Sequence, residues 1–128
     1  MATQTRSGER QLNSPVAFAS GTAFVLLGLA GLLLPVSGPA IGPDGFQATM
    51  LHNALHVAAG AALVAAGILG ARQATLANTA VGVASLALVV IGPSATGSGA
   101  TPAALNLLHV VLGLALTAAG LCGDRKPL

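Results

Sequence analysis

The stretch Asn53 to Gly70, NALHVAAGAALVAAGILG, returns 53 residues later as NLLHVVLGLALTAAGLCG, Asn106 to Gly123. Eleven of the 18 aligned positions are identical, among them Asn, His and matching glycines. This repeat constrains the fold strongly, because two near-identical segments must find near-identical surroundings. Those surroundings cannot be water. The chain is 54% hydrophobic and only 6% charged, whereas a soluble domain is about 25% charged.

Four apolar runs follow, at 15–34, 46–70, 75–91 and 102–121. Each can cover about 26–37 Å as a helix, against a hydrocarbon core of about 30 Å. Lipid offers no partner to an open backbone, so spanning segments of this kind are helices. Ser14-Pro15 and Thr101-Pro102 read as helix starts, with a capping hydroxyl before a proline. Asp44 with Gln47 reads as a capping box. Pro35 and Gly92-Pro93 read as stops for the first and third runs. The expected fold class is all-α: an integral membrane four-helix bundle over residues 15–122, with short tails at 1–14 and 123–128.

All five basic residues fall on one side of this arrangement. Arg6 and Arg10 precede the first run, Arg72 lies in the expected loop 71–74, and Arg125 and Lys126 follow the fourth run. The positive-inside rule then places both termini in the cytoplasm of a cell (inner or plasma) membrane. The Pro/Gly/Ser-rich loops 35–45 and 92–101 face outside. The first run is longer than the apolar region of a signal peptide and is expected to be retained. Each half crosses out and returns, so the halves form two parallel-repeat helical hairpins. Thr22-Ala23 matches Thr79-Ala80 in the first helix of each. They should be related by an axis along the membrane normal.

Chemistry is concentrated in the repeated segment. Asn53, His56, Gly60 and Gly67 lie three, four and seven residues apart, on one helix face. Asn106, His109, Gly113 and Gly120 repeat that face. Glycine permits close helix approach, and buried Asn and His bond across helices. The two stripes are expected to meet each other, near the outer ends of the second and fourth helices. The plain reading is structural, with His56 bonding Asn106 and His109 bonding Asn53. The sharper reading is ligation. His56 and His109 facing each other can hold a haem or a divalent metal, with Gly60 leaving room for a macrocycle. His52 is a third ligand one turn away and Asp44 a distant fourth. Against haem, no Arg or Lys stands on the outer side to pair its propionates. A third reading is a small-solute or proton path along His56, His109, Asn53 and Asn106, although no Asp or Glu lies within a span.

Other classes lose support. The acids are Glu9, Asp44 and Asp124, all outside the runs, so no catalytic triad is available and no enzyme activity is expected. No phosphate loop or basic aromatic patch points to nucleotides or nucleic acid. Cys122 is the only cysteine, which excludes an internal disulfide.

Leu51-His52-Asn53-Ala54-Leu55-His56, with Asn106-Leu107-Leu108-His109 and Gly113, resembles a bacterial family of four-helix membrane proteins, domain of unknown function 4383. That family has HN-x-x-H opening its second helix and DN-x-x-H opening its fourth. The resemblance covers roughly residues 15–122. It implies four membrane helices and no established activity. Leu105 stands where the family has Asp, which puts in doubt any role needing that carboxylate. The chain is also similar in architecture to small membrane proteins of the DoxX type. The expectation is a small integral membrane protein of structural or accessory role, without cofactor. Its partners would be the lipid bilayer and either further copies of itself or a larger membrane complex. The alternative is a haem- or metal-binding, or small-solute transport, protein centred on His56 and His109.

Overall fold

Apolar runs that must satisfy their own backbone bonds become helices, and the computed structural model of the chain has four of them among its described residues. It describes residues 11–33, 50–96 and 103–124. The helices are α1 (Asn13–Leu33), α2 (Met50–Leu69), α3 (Ala71–Thr96) and α4 (Ala103–Cys122), and the described residues contain no strand. At about 1.5 Å per residue, the 21 residues of α1 extend about 31 Å. Among the described residues, three helices are long and apolar enough to cross a membrane, and α4 is also apolar over Asn106–Cys122.

The burial pattern is that of a membrane bundle. The fully buried large side chains include Asn13 and Asn78, and Asn53, Ser85 and His109 are also buried. Meanwhile Leu51, Ile68, Leu69 and Val90 are 69–77% exposed. Water would invert that arrangement. In lipid, polar groups are driven inward to find partners and leucine gains nothing by burial.

Several helix ends differ from expectation. The expected loop 71–74 is helical, and α2 joins α3 through Gly70 alone. Gly70 has φ +119°, a conformation that costs other residues a Cβ clash, so one glycine makes the whole turn. α1 begins at Asn13, so Ser14 lies inside the first turn and is not the cap. Val16 N–H donates to the Leu12 carbonyl at 3.1 Å, and Pro15 occupies a position whose missing N–H costs nothing. α3 does not stop at Gly92-Pro93 but runs to Thr96. A proline removes one intrahelical donor, and the helix continues through that loss. The Asp44–Gln47 box, the loop 35–45, residues 46–49 and Thr101-Pro102 lie outside the described residues, as do Arg6, Arg10, Arg125 and Lys126.

The glycine stripes pack within hairpins rather than between them. A methyl on Gly60 would sit 2.6 Å from the Gly21 carbonyl oxygen and 2.7 Å from Val25 N, both on α1. A methyl on Gly67 would meet Phe18 N and Ser14 O at 2.9 Å. Likewise Gly113 abuts Gly82 and Leu86, and Gly120 abuts Thr79 and Thr75, all on α3. The expected meeting of the α2 and α4 stripes is therefore corrected. Among the described residues, no Cα of α2 comes within 8 Å of one in α4. A glycine surface specifies that some backbone comes close, and here the nearest is the hairpin partner.

These contacts also fix the internal symmetry. Ser14, Phe18, Gly21 and Val25 play the parts of Thr75, Thr79, Gly82 and Leu86, each 61 residues on. The match of Thr22-Ala23 to Thr79-Ala80 is thus one helical turn out of register. α1 and α3 occupy the centre of the bundle, where Ala17, Phe24 and Ala74 join Leu63 and Leu116 in the core.

A polar clamp closes the end where both described termini meet the α2–α3 turn. Asn13 N–H donates to Asp124 Oδ1 at 3.2 Å, and its Nδ2 donates to Asp124 Oδ2 at 2.9 Å and Thr75 Oγ1 at 3.0 Å. Asn78 Nδ2 donates to the Asn13 carbonyl at 3.1 Å and to Asn13 Oδ1 at 3.0 Å. An orphan N–H at the start of α1 is thus capped by a carboxylate from the end of α4, where negative charge also suits the helix dipole. Burial alone would raise the Asp124 pKa. Hydrogen bonds from the Asn13 side chain and backbone, Thr75 and the Leu12 backbone outweigh it and hold the pKa below the usual carboxylate value.

Two outcomes follow from this packing. Gly60→Ala should destabilise the bundle by about 1–3 kcal/mol, because backbone must move to admit the methyl. Detergent-titration unfolding measures this, with exposed Ala62→Leu as an unaffected control. The depressed Asp124 pKa makes its contribution complete above the unfolded value and lost as pH falls through the folded one. The stability gap between wild type and Asp124→Asn should therefore be constant at neutral pH and shrink only below about pH 4.

Candidate functional site

The end opposite the clamp carries three histidines. His52 and His56 are one turn apart on α2, so their rings share a face. His109 comes from α4, at the position repeat-equivalent to His56. Because α2 and α4 flank the central pair, only side chains this long bridge between them. The His52 ring lies 4.4 Å from that of His56 and 5.1 Å from that of His109, and His56 and His109 are 5.8 Å apart by centroids. Phe24 of α1 packs edge-on against His56 at 5.2 Å and forms the floor. One ligating nitrogen from each of the three histidines lies within 4.8 Å of the others.

Beside the rings, a cleft of about 370 Å³ opens between α2 and α3. Leu55, Ala84, Leu88 and Ile91 line its exposed part, and Phe24, Ser85 and His109 its buried part. Ser85 Oγ donates back to the Val81 carbonyl at 2.9 Å. The three imidazoles are the other polar side chains that line the cleft. The cleft reflects a break in the symmetry, since the residue equivalent to Phe24 is Ser85, 61 positions on. The smaller side chain leaves space on the α3 side. A second break limits the cluster to three rings: the sequence has Leu105 at the position equivalent to His52.

Of the expected polar cluster, the structure brings together His52, His56 and His109. Asn53 is buried. Its side chain lies directly against Gly31 of α1, in the seam of the first hairpin. Asn106 is half-buried on α4, three residues before His109. Gly60 does not make room for a macrocycle, because the α1 backbone at Gly21 and Val25 fills that space. Neither Phe24 nor Ser85 stood out in the sequence. The signal available was the asymmetry of the repeat itself, a ring in one half against a hydroxyl in the other.

The arrangement can supply three neutral nitrogen donors from two helices to one small cation. Metal–imidazole bonds of about 2.0–2.1 Å would draw the nitrogens to about 3.4 Å apart in a tetrahedral site. That contraction is within reach of ring rotation about χ2, a broad torsion in histidine. Comparison of the chain with family models, with curated proteins and with solved structures finds no match.

Proposed function

We propose that this membrane protein binds one divalent transition-metal ion through His52, His56 and His109. The observation that carries the reading is the gathering of one ligand atom from each ring within 4.8 Å. Imidazole suits zinc, copper and nickel, and a set of nitrogen ligands without oxygen disfavours calcium and magnesium. Three protein ligands leave a fourth position open. Haem fits less well than an ion. The His52 ring sits beside both other rings, where a macrocycle between His56 and His109 would have to pass.

The proposed setting is a cell membrane with the clamp end cytoplasmic. Arg72 stands next to the Gly70 turn, at the same end as Asn13 and Asp124, and the remaining basic residues belong to the tails beyond that end. The histidines then face the outer side, and metal reaches them from there. The motif resemblance to the four-helix family of unknown function rests on its own residues and adds no activity to this reading.

Purified protein in mild detergent should take up one Zn²⁺ or Co²⁺ per chain. His52→Ala, His56→Ala and His109→Ala should each weaken binding by about 100-fold or more, since even outer-shell changes cost about 10–100-fold. Absence of stoichiometric uptake would leave the rings as a polar packing cluster in a structural or accessory protein. Orientation is read separately at Cys122, which is exposed at the end of α4. A membrane-impermeant maleimide should label it in inside-out vesicles and not in intact cells. The reverse pattern would invert the topology.

A further inference from the structure

Three neutral imidazoles around a dication leave a net charge of about +2 in an apolar span, which is costly without a counter-charge. The chain has three acidic residues to offer. Asp124 is at the opposite end, held by Asn13 and Thr75. Glu9 lies four residues before α1 on that same side, too few to reach across. Asp44 precedes α2 outside the described residues. The open coordination position, however, has a neighbour with a definite character. The cleft beside the rings is about 370 Å³, within the size range of small-molecule sites. Its exposed wall is Leu55, Ala84, Ala87, Leu88 and Ile91, on helices that span the membrane. What enters through such a wall comes from lipid, not from water.

The geometry points to a lipid-soluble monocarboxylate, a fatty acid, as the ligand that completes the site: its carboxylate takes the fourth position on the metal and its chain fills the α2–α3 cleft. This inference rests on the metal reading above. Charge and shape agree on it. A carboxylate oxygen halves the excess charge and is an ordinary zinc ligand. An alkyl chain loses nothing on moving from bilayer to an apolar cleft, so the headgroup contact supplies the selectivity.

The test uses full-length protein loaded with Co²⁺ in detergent, whose visible d–d bands report the coordination sphere. Decanoate should shift and intensify those bands at a concentration at least tenfold below that needed with acetate. Decylamine, of equal chain length and opposite charge, should not. Ala84→Trp, or Ala87→Trp as a second variant, fills the cleft from its exposed rim. Either should retain Co²⁺ and lose the decanoate response by tenfold or more. Bands unmoved by decanoate, equal potency of acetate, or an undiminished response in both tryptophan variants would overturn the proposal while leaving metal binding intact. Co²⁺ bands already altered in Asp44→Asn before decanoate is added would also overturn it, in favour of a ligand from the chain. Failure to take up Co²⁺ at all would instead sink the metal reading, and this one with it.

Discussion

Contact of backbone with backbone at Gly21–Gly60 and Gly82–Gly113 sets the distances on which the other features depend. Without a hydrophobic drive in lipid, helices hold together by close packing and by polar contacts. Glycine supplies the first, and it does so inside each hairpin. The hairpins then join through α1 and α3, where Asn78 donates to Asn13 and where Ala17 and Ala74 are buried in the shared core. Each central helix thus has one amide and one alanine four residues apart, in opposite order. The bonds from Asn78 to the Asn13 carbonyl and side chain dock the two helices in a single register.

The same pairing pushes α2 and α4 to the flanks, and this creates the site. His56 and His109 stand on these flanking helices. Held apart, they reach across toward each other, and His52 fills the remaining angle. The chemistry is then a by-product of distance: the gap is too wide for backbone contact and right for imidazoles. The imperfect repeat finishes the design. Phe24 closes one side and Ser85 leaves the other open, so a nearly two-fold scaffold presents a one-sided cleft.

Much of this was legible beforehand. Length and hydropathy gave the four helices, the repeat gave two hairpins in parallel orientation, and the HN-x-x-H spacing put His52 and His56 on one face. The partner of the glycine stripe was not legible, because a smooth surface names no neighbour. The register of α1 against α3 is present in the sequence, at a different spacing from that of Thr22-Ala23 and Thr79-Ala80. Ala19, Gly21, Ala23 and Leu27 recur as Ala80, Gly82, Ala84 and Leu88, a spacing of 61 rather than 57. The clamp was hidden for a different reason. Asn13 looks like an ordinary residue before a helix, and its carboxylate partner is 111 positions away. Nothing local to either residue announces the other.

The clamp and the one-residue turn at Gly70 lie at the same end, while the histidines lie at the far end. Mechanically, the two hairpins are a pair of arms pinned at one tip. His52 and His56 stand 18 and 14 residues from Gly70 along α2, a lever arm of about 21–27 Å. A tilt of about 5° between the arms moves the free tips by about 2 Å over that length. That is more than the contraction from 4.8 Å that a metal asks of the ring nitrogens. An ion drawing the three rings together through such a tilt would change the splay of the whole bundle and the width of the α2–α3 cleft.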